Sequence, residues 1–348
     1  MLISPVTQRL LNQQLAAPQF SLPEDVVSHF GAMQAQEYRL MRWAVAMRTK
    51  KPSMEAFKAA YDGGKIIRTH LLRGTWQLVA AADYRWLHAL VAPKARTTIT
   101  GWMKANHIDI PQKEVDTIRQ ILCETAAEKR SASKEDFAEA LISKGLQMNN
   151  HRLSYHIRFA ELDGVFCSGN LLPMKATYAL TSDKLGDTSP LPNRDEALSL
   201  LARKYFQSHS PATLEDYIWW TGLNISDCRR GIELLGNELH IEKWKDYSFY
   251  IHESCRTRGG HKGEILLLPS YDEYLLGYKS RELVLAPEHR AKAHNNSGNF
   301  YPIIVCDGIV CGNWSPFKKQ LEASFFESER TEELLCEAWK RWQTFFNA

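Results

Sequence analysis

No Cys-x-x-Cys pair occurs in this 348-residue chain, and its seven cysteines lie scattered between Cys123 and Cys336. That spacing excludes a zinc ribbon, and the odd count argues against a disulfide framework. Scattered thiols fit a reducing cytosol. No apolar run reaches the ~20 residues that a membrane-spanning helix needs. The opening stretch through Leu15 lacks the apolar core of a signal peptide. A cytoplasmic protein without membrane attachment is therefore expected. A Gly-rich phosphate loop, HExxH, GxSxG and the HxE-with-PCxxC combination are missing too. No metal and no nucleotide cofactor is indicated.

What is present is ordinary in bulk. The chain is 44% hydrophobic and 24% charged, which suits a soluble fold of two or three domains. The net charge of +3 says little, but its distribution says more. Residues 1–108 carry 14 Lys/Arg against 6 Asp/Glu, an excess of +8, and the remainder sums to −5. A basic N-terminal third is what phosphate binding requires. A basic solvated surface gives the same count.

The apolar rhythm predicts short helices at Ser4–Leu15, after Ser21-Leu22-Pro23-Glu24, at Glu37–Arg48 and at Ser53–Tyr61. A hairpin around Arg73-Gly74 follows. Ser133-Lys134-Glu135-Asp136 and Thr213-Leu214-Glu215-Asp216 open further helices with the [ST]-x-x-[DE] signature. Each leads into a helix and a hairpin. The recurrence predicts tandem helix-turn-helix relatives of the winged-helix kind. From residue 263 the pattern changes to strands, with Asp307-Gly308 as a type I′ turn signal and a helix from Glu332. The fold class expected is α+β, mainly α: three tandem winged helices and a C-terminal β-barrel. The divisions expected are 1–125, 126–190, 191–262 and 263–348.

The informative segment is Gly31-Ala32-Met33-Gln34-Ala35-Gln36-Glu37-Tyr38-Arg39. Two glutamines flank one small apolar residue, which by itself is compatible with a polar helix start. Taken with Trp43-Ala44, Arg68-Thr69, Leu72-Arg73-Gly74-Thr75-Trp76, Trp219-Trp220-Thr221-Gly222-Leu223, Leu268 to Tyr278 and Gly312-Asn313-Trp314, the chain resembles the AlkZ-type (YcaQ-like) winged-helix DNA glycosylases. The blocks occur in family order and cover nearly the whole chain.

The resemblance implies a basic channel for double-stranded DNA carrying alkylated or crosslinked bases, with Gln34 and Gln36 as the catalytic Gln-Φ-Gln pair. A sister branch carries Asp at the second position, so Gln36 points to the crosslink-unhooking branch. Gln77 stands where many relatives have His. An amide is no general base. A cationic N-alkylated purine leaves without protonation, so dipoles that orient water and stabilise an oxocarbenium-like sugar suffice.

Candidate phosphate contacts are Arg39, Arg42 and Arg48 at helical spacing, Arg73, and Lys94, Arg96 and Lys104 after Pro93. Arg256, Arg258 and Lys262 join them in a basic, glycine-bearing turn. Each is equally readable as a solvated charge. His70, His88 and Trp219-Trp220 are expected to be structural. A monomer is expected, and a non-catalytic winged-helix DNA-binding regulator is the alternative.

Overall fold

The computed structural model describes residues 4–186, 190–260, 263–327 and 332–347. The structure is mixed α and β and 51% helical. Helix α1 (Pro5–Asn12) is capped by Ser4, whose hydroxyl accepts from Thr7 N–H. Helix α2 (Pro23–Phe30) starts one residue later than the Ser21 signature suggests. Pro23 takes the first helical position, which leaves Leu22 at the cap and Ser21 too early to bond the first turn.

A short strand β1 (Met33–Gln34) follows, then α3 (Met41–Ala46), α4 (Met54–Asp62), β2 (Ile66–His70) and β3 (Trp76–Ala80). The sheet order is β1-β3-β2, all antiparallel. Helix α5 (Ala81–Ala105) runs unbroken through Pro93.

The same order then recurs: α6 (Gln112–Lys129), β4 (Ala132–Ser133), α7 (Lys134–Ser143), α8 (Asn150–Leu162), β5 (Phe166–Ser168) and β6 (Thr177–Leu180). This sheet reads β4-β6-β5. After α9 (Thr181–Leu185) come α10 (Arg194–His209), α11 (Leu214–Thr221), α12 (Ile225–Leu235), β7 (Leu239–Trp244) and β8 (Tyr247–His252). Here a single bridge from Ala212 to Tyr250 stands in for the short strand. Ser133 with Asp136 and Thr213 with Asp216 form complete capping boxes.

The boundary expected at residue 125 falls inside α6. Ile118, Ile121, Leu122 and Ala126 of that helix pack with Phe137, Leu141 and Phe166 in the second repeat's core. The first and third repeats share a core, where Ile67, Leu72 and Val79 meet Leu201, Tyr205, Tyr217 and Trp220.

The C-terminal part holds β9 (Ile265–Leu268), α13 (Glu273–Leu276), α14 (Arg290–Ala293), β10 (Ile303–Cys306), β11 (Ile309–Trp314), β12 (Ala323–Phe325) and α15 (Glu332–Asn347). Among the described residues the strands form one open antiparallel sheet, β12-β11-β10-β9, and not the expected barrel. Helices cover both faces of this sheet instead. Leu266, Leu268, Ile303 and Val305 pack on Leu10, Leu11 and Tyr274. Ile265, Leu267 and Ile304 pack on Trp43, Trp314, Trp339 and Trp342. Burial on both faces accounts for the continuous apolar run of β9. The turn between β10 and β11 has positive φ at both Asp307 (50°) and Gly308 (82°), and a Cβ on Gly308 would lie 2.2 Å from Val6 Cγ1.

Candidate active site

The Gln-Ala-Gln segment lies on and just after strand β1 rather than at a helix start. Met33 and Ala35 point into the first repeat's core beside Val26 and Phe30. Successive side chains of extended backbone alternate, so Gln34 points to the opposite face, and Gln36 follows at a bend just beyond the strand. Gln34 is paired across the sheet with Gln77. The β2–β3 turn, with Arg73 at φ 56°, folds the Arg73 side chain back over the same face.

These neighbours hold the Gln34 carboxamide. Its Oε1 accepts from Gln77 Nε2 at 2.7 Å and Arg73 Nη2 at 3.1 Å. Thr75 Oγ1 lies 3.1 Å from the same oxygen and 3.0 Å from Leu72 O, so its single proton is shared between them. A guanidinium has donors only, which settles which limb of the amide faces Arg73. Gln34 is 7% exposed. Gln36 is half-buried, and among the described residues no hydrogen bond engages its side chain.

Behind β1 sits Glu273, the first residue of α13 and only 2% exposed. Its Oε1 accepts the Gln34 backbone N–H at 2.6 Å, and its Oε2 accepts Trp220 Nε1–H at 3.1 Å. His209 Nε2 lies 3.5 Å from Oε2. Burial pushes the Glu273 carboxyl up, but His209, the Gln34 N–H and Arg73 outweigh it and hold the group below the usual carboxylate range. Burial lowers His209, so the imidazole is the neutral partner. Burial also pushes the Arg73 guanidinium down, and Glu273 opposes this. The anionic Glu273 thus offsets the charge of Arg73 beneath the glutamine face.

The expected phosphate contacts divide sharply. Arg48 is fully buried and forms a bidentate pair with Asp272 at 2.9 and 2.7 Å. It is therefore no surface contact. Arg42 is buried too, donating to the carbonyls of Leu172 and Pro173 at 2.7 and 3.0 Å. Arg39 stacks 3.4 Å from the Phe317 ring centroid. The helical face assumed for these three fails because α3 covers only Met41–Ala46. The basic excess is likewise only partly at the surface, since Arg9, Arg42, Arg48 and Arg68 are buried.

Arg73 joins Gln34 and the Trp220 carbonyl. Arg96 is half-buried, 3.6 Å from Asp163 and 3.6 Å over the Phe159 ring. Arg256 is tied to the Ala16 and Ala17 carbonyls at 3.3 and 3.0 Å. Lys94, Lys104 and Arg258 are exposed, and Lys262 lies outside the described residues. His70 is a buried structural group, its Nδ1 2.5 Å from Glu161 Oε2.

Glu273 was not singled out from sequence. Its signal is two adjacent carboxylates, Asp272 and Glu273, inside an otherwise apolar block. Charges in such a setting are retained only when paired. Gln77 registered only as a departure from a pattern, not as a partner of Gln34. Among the described residues, no group of three or more His, Cys, Asp or Glu is placed to hold a metal ion. None of their helices is long and apolar enough to cross a membrane.

Residues 27–345 match the family described as DNA glycosylase AlkZ-like. An interstrand DNA cross-link repair glycosylase of Streptomyces sahachiroi is 26% identical over 328 residues, covering 88% of this chain and 85% of the relative. The solved structure of Streptomyces sahachiroi DNA glycosylase AlkZ shares the fold, with a TM-score of 0.77, 22% identity, and coverage of 100% of this chain and 98% of that one. The chain belongs to the AlkZ-like DNA glycosylase family.

Proposed function

We propose that this glycosylase hydrolyses the N-glycosidic bond of cationic N-alkylated purines in duplex DNA, interstrand crosslinks included, with Gln34 and Gln36 at the reacting centre. The relative named for cross-link repair supports the lesion class. We read the three repeats of helix, short strand, two helices and hairpin as winged-helix units that shape the DNA channel. Of the expected phosphate contacts, Lys94, Lys104 and Arg258 are exposed and so available to DNA.

The observation that carries the mechanism is the unequal state of the two amides. Gln34 Oε1 is saturated by donors, so its N–H limb is the one left for substrate or water. Among the described residues nothing engages the Gln36 side chain, and its Oε1 would accept from the attacking water. The pair thus holds one water as donor and acceptor, oriented toward C1′. The C1′–N bond breaks with its electron pair passing to the purine, which neutralises the leaving base. Water adds to the oxocarbenium-like sugar, and the strongly acidic adduct loses its proton to solvent. No general base is required. Glu273 offsets Arg73, so the site does not repel a cationic transition state.

Base release from a duplex containing N7-methylguanine tests the reading. The Gln34→Ala/Gln36→Ala double variant is expected to lose release and keep most DNA affinity. Equal release by the double variant, or none by the natural protein, overturns it.

A further inference from the structure

A cleft opens beside α11, whose Trp219 lines it. Its volume is about 450 Å³, and Lys279, Arg281, Arg290, His294 and Phe300 are among its other lining residues. The Lys279 ammonium and Arg281 guanidinium lie 4.9 and 5.3 Å from the Trp219 ring centroid. Arg281 donates through Nε to Leu275 O at 2.8 Å, and its Nη1 lies 3.4 Å from Lys279 O. Its Nη2 is buried without a partner. Burial, Arg290 and Arg73 push this guanidinium down to about 10 against the opposing charge of Asp216.

Among the described residues no carboxylate pairs with Lys279, Arg281 or Arg290. Asp216 Oδ1 is taken by the backbone N–H groups of Lys279 and Ser280 at 2.8 and 3.1 Å. Glu282 also lines the cleft, but its Oε2 is 3.3 Å from Tyr247 Oη. Three cations therefore face one carboxylate. A buried charged donor left unpaired is costly, and an anion supplied by a ligand would satisfy it.

We propose that this cleft binds a backbone phosphodiester of the DNA strand being repaired, resting on the glycosylase reading above. The two non-bridging oxygens would accept from Arg281 Nη2 and from Arg290 or Lys279. Location supports a DNA phosphate. Arg73 contacts both Gln34 Oε1 and the carbonyl of Trp220, the neighbour of Trp219 that lines the cleft. A phosphate held there would sit close to a deoxyribose facing the glutamines.

The experiment measures duplex affinity against salt concentration for the natural chain, Arg281→Gln and the double variant Lys279→Gln/Arg290→Gln. Lys279 and Arg290 make no side-chain hydrogen bonds within the described fold, so the double variant keeps the test open if Arg281→Gln fails to fold. The expected result is a slope of log K on log salt shallower by about 1, with affinity roughly tenfold lower at low salt. An unchanged slope overturns the assignment. Calorimetry with inorganic phosphate forms the second arm. Variants that lose phosphate binding but keep the DNA slope would make this a free-phosphate site and sink the backbone reading. Base release by the natural chain is scored separately. Release with an unchanged slope removes the cleft alone; no release with a reduced slope removes the enzymatic reading alone.

Discussion

The backbone N–H of Gln34 donates to the Glu273 carboxylate at 2.6 Å, across 239 positions of chain. This bond anchors the strand that carries the glutamines to the N-terminus of α13. The same carboxylate receives Trp220 Nε1–H at 3.1 Å, so one buried anion ties the first repeat, the third repeat and the C-terminal sheet region together. Glu273 lies beneath the glutamine face, not on it; in the proposed mechanism it is a positioning residue.

Glu273→Ala leaves two buried N–H donors without an acceptor and is expected to destabilise the fold by roughly 2–4 kcal/mol. Glu273→Gln keeps an acceptor and should cost less in urea unfolding. It also leaves Arg73 uncompensated, so single-turnover release of N7-methylguanine should slow about tenfold or more. Equal release by Glu273→Gln and the natural chain would remove the electrostatic role.

Gln77 supplies the shortest of the contacts on Gln34 Oε1, at 2.7 Å. Gln77→Leu removes that donor and frees the Gln34 amide to rotate. Losing one orienting hydrogen bond of ~1–1.5 kcal/mol corresponds to roughly a tenfold slower release. Gln77→His restores a ring N–H and should recover part of the rate. An unchanged rate in Gln77→Leu while the protein stays folded would show that Gln34 is held without Gln77.

Arg48 is a structural cation. Removing it from the pair with Asp272 strands a buried carboxylate, and Arg48→Ala is expected to cost roughly 3–5 kcal/mol in chemical denaturation. The salt dependence of DNA binding by whatever remains folded should match the natural chain. Lys104→Ala should do the reverse, with unchanged stability and a shallower salt slope. A shallower slope for Arg48→Ala would contradict the burial argument.

Acid should weaken the fold in two stages. Burial depresses His29 to about 4, outweighing the Asn12 carbonyl that favours the cation. Its unfolded value is near 6.5. Between these values the unfolded chain binds more protons, so stability falls as pH drops from about 6.5 to about 4 and then levels for this group. Glu238 is held at about 2, chiefly by Arg203, and Asp136 at about 2, chiefly by Lys129. Their contribution is present above about pH 4 and is lost as pH falls towards 2. Urea midpoints measured from pH 7 to pH 3 read both stages. His29→Gln should flatten the upper one, and an unaltered slope there would reassign it to other histidines.

Local pattern was enough to foresee the Asp307-Gly308 turn, the capping boxes at Ser133 and Thr213, and the recurring helix-and-hairpin order. These features depend on neighbours a few residues apart, where turn stereochemistry and side-chain spacing decide the outcome. Gln34 and Gln36 were singled out by the family resemblance, since the local pattern by itself read equally as a polar helix start. The helix expected at Glu37–Arg48 is cut to α3 because residues 37–40 form a turn instead, and the long-range β1–β3 pairing that holds Gln34 was not legible at all. The C-terminal strands were legible as strands, but their closure was not, since the helices covering each face come from opposite ends of the chain.

Sequence by itself determined the periods, caps and turns of this protein. Only the tertiary structure decided that Arg48 meets Asp272, that Glu273 lies under Gln34, and that Arg73 turns inward. A run of residues specifies which side is apolar, but not which distant carboxylate will lie opposite a given cation. In a low-dielectric interior that meeting decides whether a charge holds the fold together or remains free to grip a phosphate.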